Sequence, residues 1–122
     1  MDNLSIGLAA EQQAQEYLEK RGLTAEEKNY SYYARGKKQG EIDLIMHDKD
    51  CIVFVEVKKR KQTDHGQSLE MISQSKQSRL RRTALHYLQE KQLLDKMPCR
   101  FDVIGIDGDN ITWVANAIET NH

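Results

Sequence analysis

Proline is almost missing from this 122-residue chain, occurring only at Pro98, and its seven glycines are dispersed. With no repeat and no low-complexity tract, nothing reads as a linker or a collagen-like period. The length then fits one domain over residues 1–122. Long apolar runs are also lacking: no stretch approaches the roughly 18 residues of a membrane span. The opening Met1-Asp2-Asn3-Leu4-Ser5 has no basic-then-apolar leader. A cytoplasmic protein with no membrane partner is therefore expected. Only two cysteines occur, Cys51 and Cys99, outside any Cys-x-x-Cys or Cys-x-x-His cluster, and they read as reduced thiols at strand starts. Four histidines (His47, His65, His86, His122) lack ligand spacing, which argues against zinc, so any functional metal would be oxygen-bound.

Net charge is scarce as well, at −1 overall, which by itself argues against a general nucleic-acid binder. Its distribution is uneven. Residues 57–100 hold 11 Lys or Arg against 4 acids, a segment of +7 that leaves −8 elsewhere. Such segregation suits a basic phosphate footprint beside an acidic site, although a solvated helix face is the blander account.

The chain is richest in information at two strand-like runs, residues 40–46 and 51–58, flanking His47-Asp48-Lys49-Asp50. A symmetric turn there pairs positions whose numbers sum to 99, so Asp43 faces Glu56 and Glu41 faces Lys58. Period-two alternation puts Asp43, Glu56 and Lys58 on one face, beside Ile45, Ile52 and Phe54, with Ile42, Leu44, Val55 and Val57 on the other. Carboxylates directly opposed across strands, with Cβ atoms about 4.5–5.5 Å apart, repel unless a proton or cation lies between them. Magnesium is commonly held by one or two carboxylates plus phosphate oxygens, and a nearby lysine can reach the scissile phosphate or orient the attacking water. An exposed strand end carrying a Glu41–Lys58 ion pair is the structural alternative. Against it, both faces are apolar, and acids on a doubly covered strand pair cost free energy unless compensated.

Around that hairpin, residues 4–21 read as an amphipathic helix with Leu4, Leu8, Ala14 and Leu18 on its stripe, Glu11 within it, and Gly22 as the stop. Glu11 is thus a candidate third carboxylate. Weak strand character over residues 24–33, with Tyr30, Tyr32 and Tyr33, precedes a basic loop, Arg35-Gly36-Lys37-Lys38-Gln39-Gly40, that offers Lys37 and Lys38 as phosphate contacts and a tyrosine for base stacking. A long helix is expected over about residues 68–91, with a stripe of Leu69, Ile72, Leu80, Ala84, Tyr87 and Leu88. Lys76 interrupts that stripe, free to touch substrate or pair with a site carboxylate, and Arg79 and Arg82 flank it. Residues 100–114 form a final hairpin, with Asp102 read as structural. The order is helix, three strands, helix, two strands.

Asp43 followed by Glu56-Val57-Lys58, after a glutamate-bearing helix and before a long one, resembles the PD-(D/E)XK nuclease superfamily. Residues Gly40-Glu41-Ile42-Asp43-Leu44-Ile45, Phe54-Val55-Glu56-Val57-Lys58-Lys59-Arg60 and Arg100-Phe101-Asp102-Val103 are similar to the YraN-like family, uncharacterised protein family 0102. Ile42-Asp43 stands where the superfamily motif opens with proline-aspartate. The resemblance implies a restriction-endonuclease-like α/β fold: a mixed sheet flanked by helices. It further implies Asp43, Glu56 and Glu11 as ligands of Mg or Mn, with Lys58 the motif lysine and Glu11 the acid of Holliday-junction-resolvase-like members. Lys76, Arg79, Arg82, Lys37, Lys38 and Arg60 are the expected substrate contacts. The function so implied is a metal-dependent nuclease on DNA, more readily than RNA and with branched DNA in view; the alternative is a non-catalytic nucleic-acid-binding or assembly module that keeps the fold. Resolvase-like relatives work as dimers on symmetric junctions, so a homodimer is an open expectation.

Overall fold

A computed structural model of the chain describes residues 3–59 and 72–118. Its elements are α1 (Asn3–Glu19), β1 (Thr24–Ala34), β2 (Lys37–Asp48), β3 (Cys51–Lys59), α2 (Gln74–Glu90), β4 (Cys99–Asp107) and β5 (Asn110–Ile118). The five strands form one sheet in sequence order. Three neighbouring pairs are antiparallel, and β3 and β4 are parallel because α2 carries the chain back across the sheet. The fold is α/β, with the expected element order. Among the described residues, no helix is long and apolar enough to cross a membrane.

Turn chemistry sets the registers. Arg35 and Gly36 both have positive φ (54° and 76°), the geometry of a tight two-residue hairpin turn, so Lys37 pairs with Ala34 at once. Residues 37–40, expected as a loop, therefore belong to β2. Lys49 (φ 57°) and Asp50 close the next hairpin, and the pairing from Asp48↔Cys51 to Leu44↔Val55 keeps the predicted sum of 99.

Both sheet faces are covered, as the apolar runs require. On one, Ala10, Ala14 and Leu18 of α1 pack over Leu44, Met46, Val53, Val55, Ile104 and Ile106. On the other, Leu80, Ala84, Tyr87 and Leu88 of α2 cover Tyr30, Ile42, Ile45, Ile52, Phe54 and Phe101. Ile42 thus lies on the α2 side, not with Leu44 as regular alternation demands. Each fully buried Leu, Ile, Val or Phe contributes about 1.5–3 kcal/mol, which stabilises the frame enough to tolerate charges inside it.

The second helix starts later than its periodicity suggests. Ser73 caps it by accepting from Lys76 N at 3.1 Å. Ile72 consequently precedes the helix, while Leu69 and the rest of the expected first turn lie outside the described residues, as do the side chains of Leu4 and Leu8. Asp102 is structural as read: only 1% exposed, it accepts from Arg100 Nε (3.0 Å), Trp113 Nε1 (2.9 Å) and Asn116 N (2.8 Å), tying β4 to an irregular part of β5. Cys51 and Cys99 are free and pack against opposite faces of the sheet.

α2 approaches β2 most closely at Gly40. A methyl placed there would collide with Thr83 Oγ1 and lie 3.0 Å from the Arg79 carbonyl, and that backbone cannot swing aside. Gly40→Ala is therefore expected to cost about 1–3 kcal/mol as an overpacking change and to lower the melting temperature by several degrees. A thermal melt indistinguishable from that of the parent would mean the helix is not so tightly seated.

Candidate active site at a fork in the sheet

The β2–β3 ladder ends at Leu44↔Val55, yet both strands continue. Beyond that point β2 stays paired with β1, as far as Lys37↔Ala34, and β3 with β4, as far as Lys59↔Ile106. The sheet therefore forks between its second and third strands, and Asp43 lies at the crotch. Its Oδ2 accepts the Val57 backbone N–H at 2.8 Å, so a side chain replaces the carbonyl that a continued ladder would supply. Asp43 and Glu56 do meet, as expected, but as side-chain partners across the opening. Glu41 does not face Lys58: it pairs with Ser31 in the ladder and with Lys38 through an ion pair of 3.2 Å, because the strands have already diverged.

A cleft of about 370 Å³ opens from the fork, lined by Asp43 and Glu56, by Lys38, Gly40 and Glu41 of β2, and by Lys76, Arg79 and Leu80 of α2. A smaller hollow of about 170 Å³ adjoins it through Glu56 and Lys76, and Lys58 lines that one. Asp43, Glu56, Lys76, Arg79 and Lys38 are thus gathered in one cleft, with Lys58 next door. Lys37 and Arg82 are exposed and do not line either hollow, and Arg60 lies outside the described residues. Of the tyrosines, Tyr30 is buried with its hydroxyl 2.7 Å from His86 Nδ1, and Tyr32 stacks on His86. Tyr33, 60% exposed and paired across the hairpin with Lys38, is the one that keeps a surface to stack on.

Electrostatics mark the fork as a place that demands positive charge. Glu56 is 9% exposed and forms an ion pair with Lys76 Nζ at 3.0 Å. Burial pushes its pKa up to about 7; the Asp43 charge adds to this, and the Lys76 ammonium opposes it. Burial also raises Asp43, against the stabilising Val57 N–H and the hydrogen bond it shares with Glu56. Burial and the neighbouring Asp43 charge thus favour a proton on the pair below about pH 7. Glu11 approaches from α1, on the other side of the sheet. Burial and then Asp43 raise its pKa, while the Asn29 side chain lowers it, and its buried Oε2 has no hydrogen-bond partner among the described residues.

These donors suit a hard cation. They are oxygens, two of them share a proton that an ion could replace, and a third carboxylate has an oxygen to spare. Among the described residues, no three acidic, histidine or cysteine side chains converge into a cage. The residues that could hold such an ion are therefore Asp43 and Glu56, with Glu11 close enough for its charge to bear on Asp43. Two residues of the site escaped the sequence reading: Asn29, whose only signal was the weak strand character around it, and Gly40, whose role is set by how closely the helix packs.

Fold and site together describe a small α/β protein with an acid pair at a sheet fork under a basic helix. The chain belongs to Uncharacterised protein family UPF0102, which it matches over residues 10–106. A UPF0102 protein of Coxiella burnetii (strain RSA 331 / Henzerling II) is 49% identical over 118 residues, covering 96% of this chain and 94% of the relative. One from Shewanella baltica (strain OS155) is 46% identical over 114 residues, covering 93% and 99%.

A raised acid pKa makes a pH-dependent contribution to stability. Because folded Glu56 holds its proton up to about 7 rather than the ordinary 4.5, that contribution is complete below 4.5 and is lost as pH rises through 7. In chelator-treated protein, Glu56→Gln should therefore melt several degrees above the parent at pH 8, and the gap should close toward pH 5. A gap that does not vary with pH would contradict the buried, proton-sharing state.

Proposed function

We propose that this protein is a divalent-metal-dependent nuclease that hydrolyses phosphodiester bonds in DNA. The observation that carries this reading is the buried Asp43–Glu56 pair, which opens onto a cleft walled by Lys76, Arg79 and Lys38. Acids that need a cation and bases that would hold phosphates share one hollow. The resemblance of Asp43 and Glu56-Val57-Lys58 to the PD-(D/E)XK motif supports the same chemistry. A cytoplasmic setting, where DNA and Mg²⁺ are both at hand, agrees with it.

In this reading Asp43 and Glu56 hold Mg²⁺ or Mn²⁺, and Glu11 steadies it from the α1 side. Such an ion, when bound, would supply Lewis-acid polarisation of the scissile phosphate and of water near neutral pH. Lys58, reaching in from the adjoining hollow, orients the attacking water. Arg79 and Lys38 grip the phosphates on either side, and Lys76 moves from Glu56 to the phosphate when Glu56 is engaged. Lys37 and Arg82, farther out, lengthen the basic track. Water adds to phosphorus, the phosphorus–oxygen ester bond breaks, and the leaving sugar oxygen takes up a proton. Branched DNA is the substrate to try first, since resolvase-like proteins bear the resemblance.

A second reading draws on one specific contact. With its ammonium 3.0 Å from Glu56, Lys76 already neutralises the acid, as a non-catalytic nucleic-acid-binding or assembly module that never loads metal would require.

Junction, flap and single-stranded DNA incubated with Mn²⁺ should be cut by the parent protein. Asp43→Ala should slow cleavage by at least about a hundredfold, a loss of ligand comparable to removing a catalytic electrostatic group. Undiminished cleavage in that variant refutes the assignment. Should calorimetry find no Mn²⁺ binding while gel shifts retain salt-sensitive DNA association, the binding module is correct. In either case Arg79→Ala should weaken DNA association and its salt dependence more than Arg82→Ala, because Arg79 lines the cleft and Arg82 does not.

A further inference from the structure

The fork has a partner irregularity one strand away. In the β1–β2 ladder Lys28 pairs with Leu44 and Tyr30 with Ile42, but the rung between them, Asn29 with Asp43, is not made. Asn29 has φ 52°, the left-handed region, in the middle of an 11-residue strand. Both strands change faces there. Lys28 reaches Gln12 of α1 at 2.7 Å, whereas Tyr30 is buried against α2; Leu44 lies under α1, whereas Ile42 lies under α2. Residues two apart in a regular strand share a face, so each strand inverts at this one rung.

The inversion has a consequence for the acids. Uninterrupted alternation would place Asp43 flat on the α2 face with Ile45. At the inversion its carboxylate instead turns into the fork, where it caps Val57 N, with α2 on one side and Glu11 of α1 on the other. In β1 a left-handed residue makes the break, and asparagine tolerates that conformation better than any branched or bulky residue. Its side chain also favours the charged form of Glu11, the acid that bears on Asp43 from the helix.

We infer that Asn29 is a positioning residue of the acid site: its left-handed backbone permits the inversion that aims Asp43 into the fork, and its side chain holds Glu11 beside Asp43. This rests on the proposed metal site for its functional meaning, but not for its structural content. Residues that orient a ligand in this way are typically worth about 10–100-fold in metal affinity.

Asn29→Gly separates the two roles, since glycine keeps the left-handed backbone freely but loses the amide. In chelator-treated protein, denaturant unfolding of Asn29→Gly, Glu11→Ala and the double variant should be non-additive by about tenfold in the unfolding constant, as contacting partners are. Additive effects overturn the inference whether or not metal binds. By calorimetry, Asn29→Gly should bind Mn²⁺ about tenfold more weakly, and in a Glu11→Ala background the same change should cost nothing further. An equal loss in both backgrounds would mean that Asn29 acts on the fold at large and not through Glu11, which also overturns it. Asn29→Val, which suits neither role, should melt well below Asn29→Gly; equal melts would refute the backbone half. If the parent binds no Mn²⁺, the metal-dependent function fails by itself, and the unfolding cycle still decides the role of Asn29.

Discussion

A single hydrogen bond, from Val57 N–H to Asp43 Oδ2, organises this molecule. A sheet that parts between two central strands leaves backbone donors and acceptors without partners, and each buried one left unmet costs about 1–3 kcal/mol. Asp43 meets one of them with a side chain. The strands can then separate without abandoning Val57, and the gap becomes a cleft with an acid at its root. Everything else at the site is arranged around that gap: α2 roofs it because Gly40 lets the helix sit against β2, and Asn29 lets the outer hairpin change faces at the same rung.

The fork is costly in a way that packing alone does not repay. Replacing a buried ionic cluster by apolar side chains of similar volume is often neutral or stabilising, so two carboxylates among Ile, Val and Phe are not there to hold the sheet together. The α1 and α2 faces already do that, with some of the largest buried side chains of the molecule. By contrast Asp102, more deeply buried, has donors on several sides and ties two strands together, the pattern of an acid whose job is structural. Among the described residues, Asp43 and Glu56 are satisfied by one N–H, one lysine and each other. That difference in partnering separates the candidate acids from the structural one.

How far this was legible in the sequence follows the same physics. Hairpin register came directly from turn length, and the pairing of 44 with 55 through 48 with 51 obeyed it. Element order, the two covered faces and the meeting of Asp43 with Glu56 followed from hydrophobic period and from acids in apolar surroundings. What failed was the assumption that alternation and pairing run on past residue 43. Ile42 on the wrong face and the expected Glu41–Lys58 pair are both consequences of the inversion at Asn29 and Asp43, and one left-handed asparagine leaves no periodic trace. Residues 37–40 looked like a loop because of their charge and glycine, whereas the Arg35-Gly36 turn zips them into β2. Gly40 was visible only as a turn former, since its real role is to admit a helix from elsewhere in the chain.

Charge counting links the state seen here to the proposed chemistry. Below about pH 7 the Asp43–Glu56 pair is compensated by one shared proton and by one ammonium, that of Lys76 at 3.0 Å. Together these carry two positive charges, the same as one divalent ion. Exchanging them for such an ion leaves the net charge of the buried fork unchanged, so the low-dielectric surroundings that make unpaired charge expensive do not oppose the exchange. Lys76 is nearly half exposed, so its ammonium has water to turn to and is not itself stranded when it lets go of Glu56. Freed, it remains anchored on the first turns of α2 beside Arg79, at the mouth of the cleft where a phosphate would lie. The same lysine can therefore neutralise the acids of the metal-free protein and contact the substrate of the loaded one, and the two roles exclude each other in time but not in geometry.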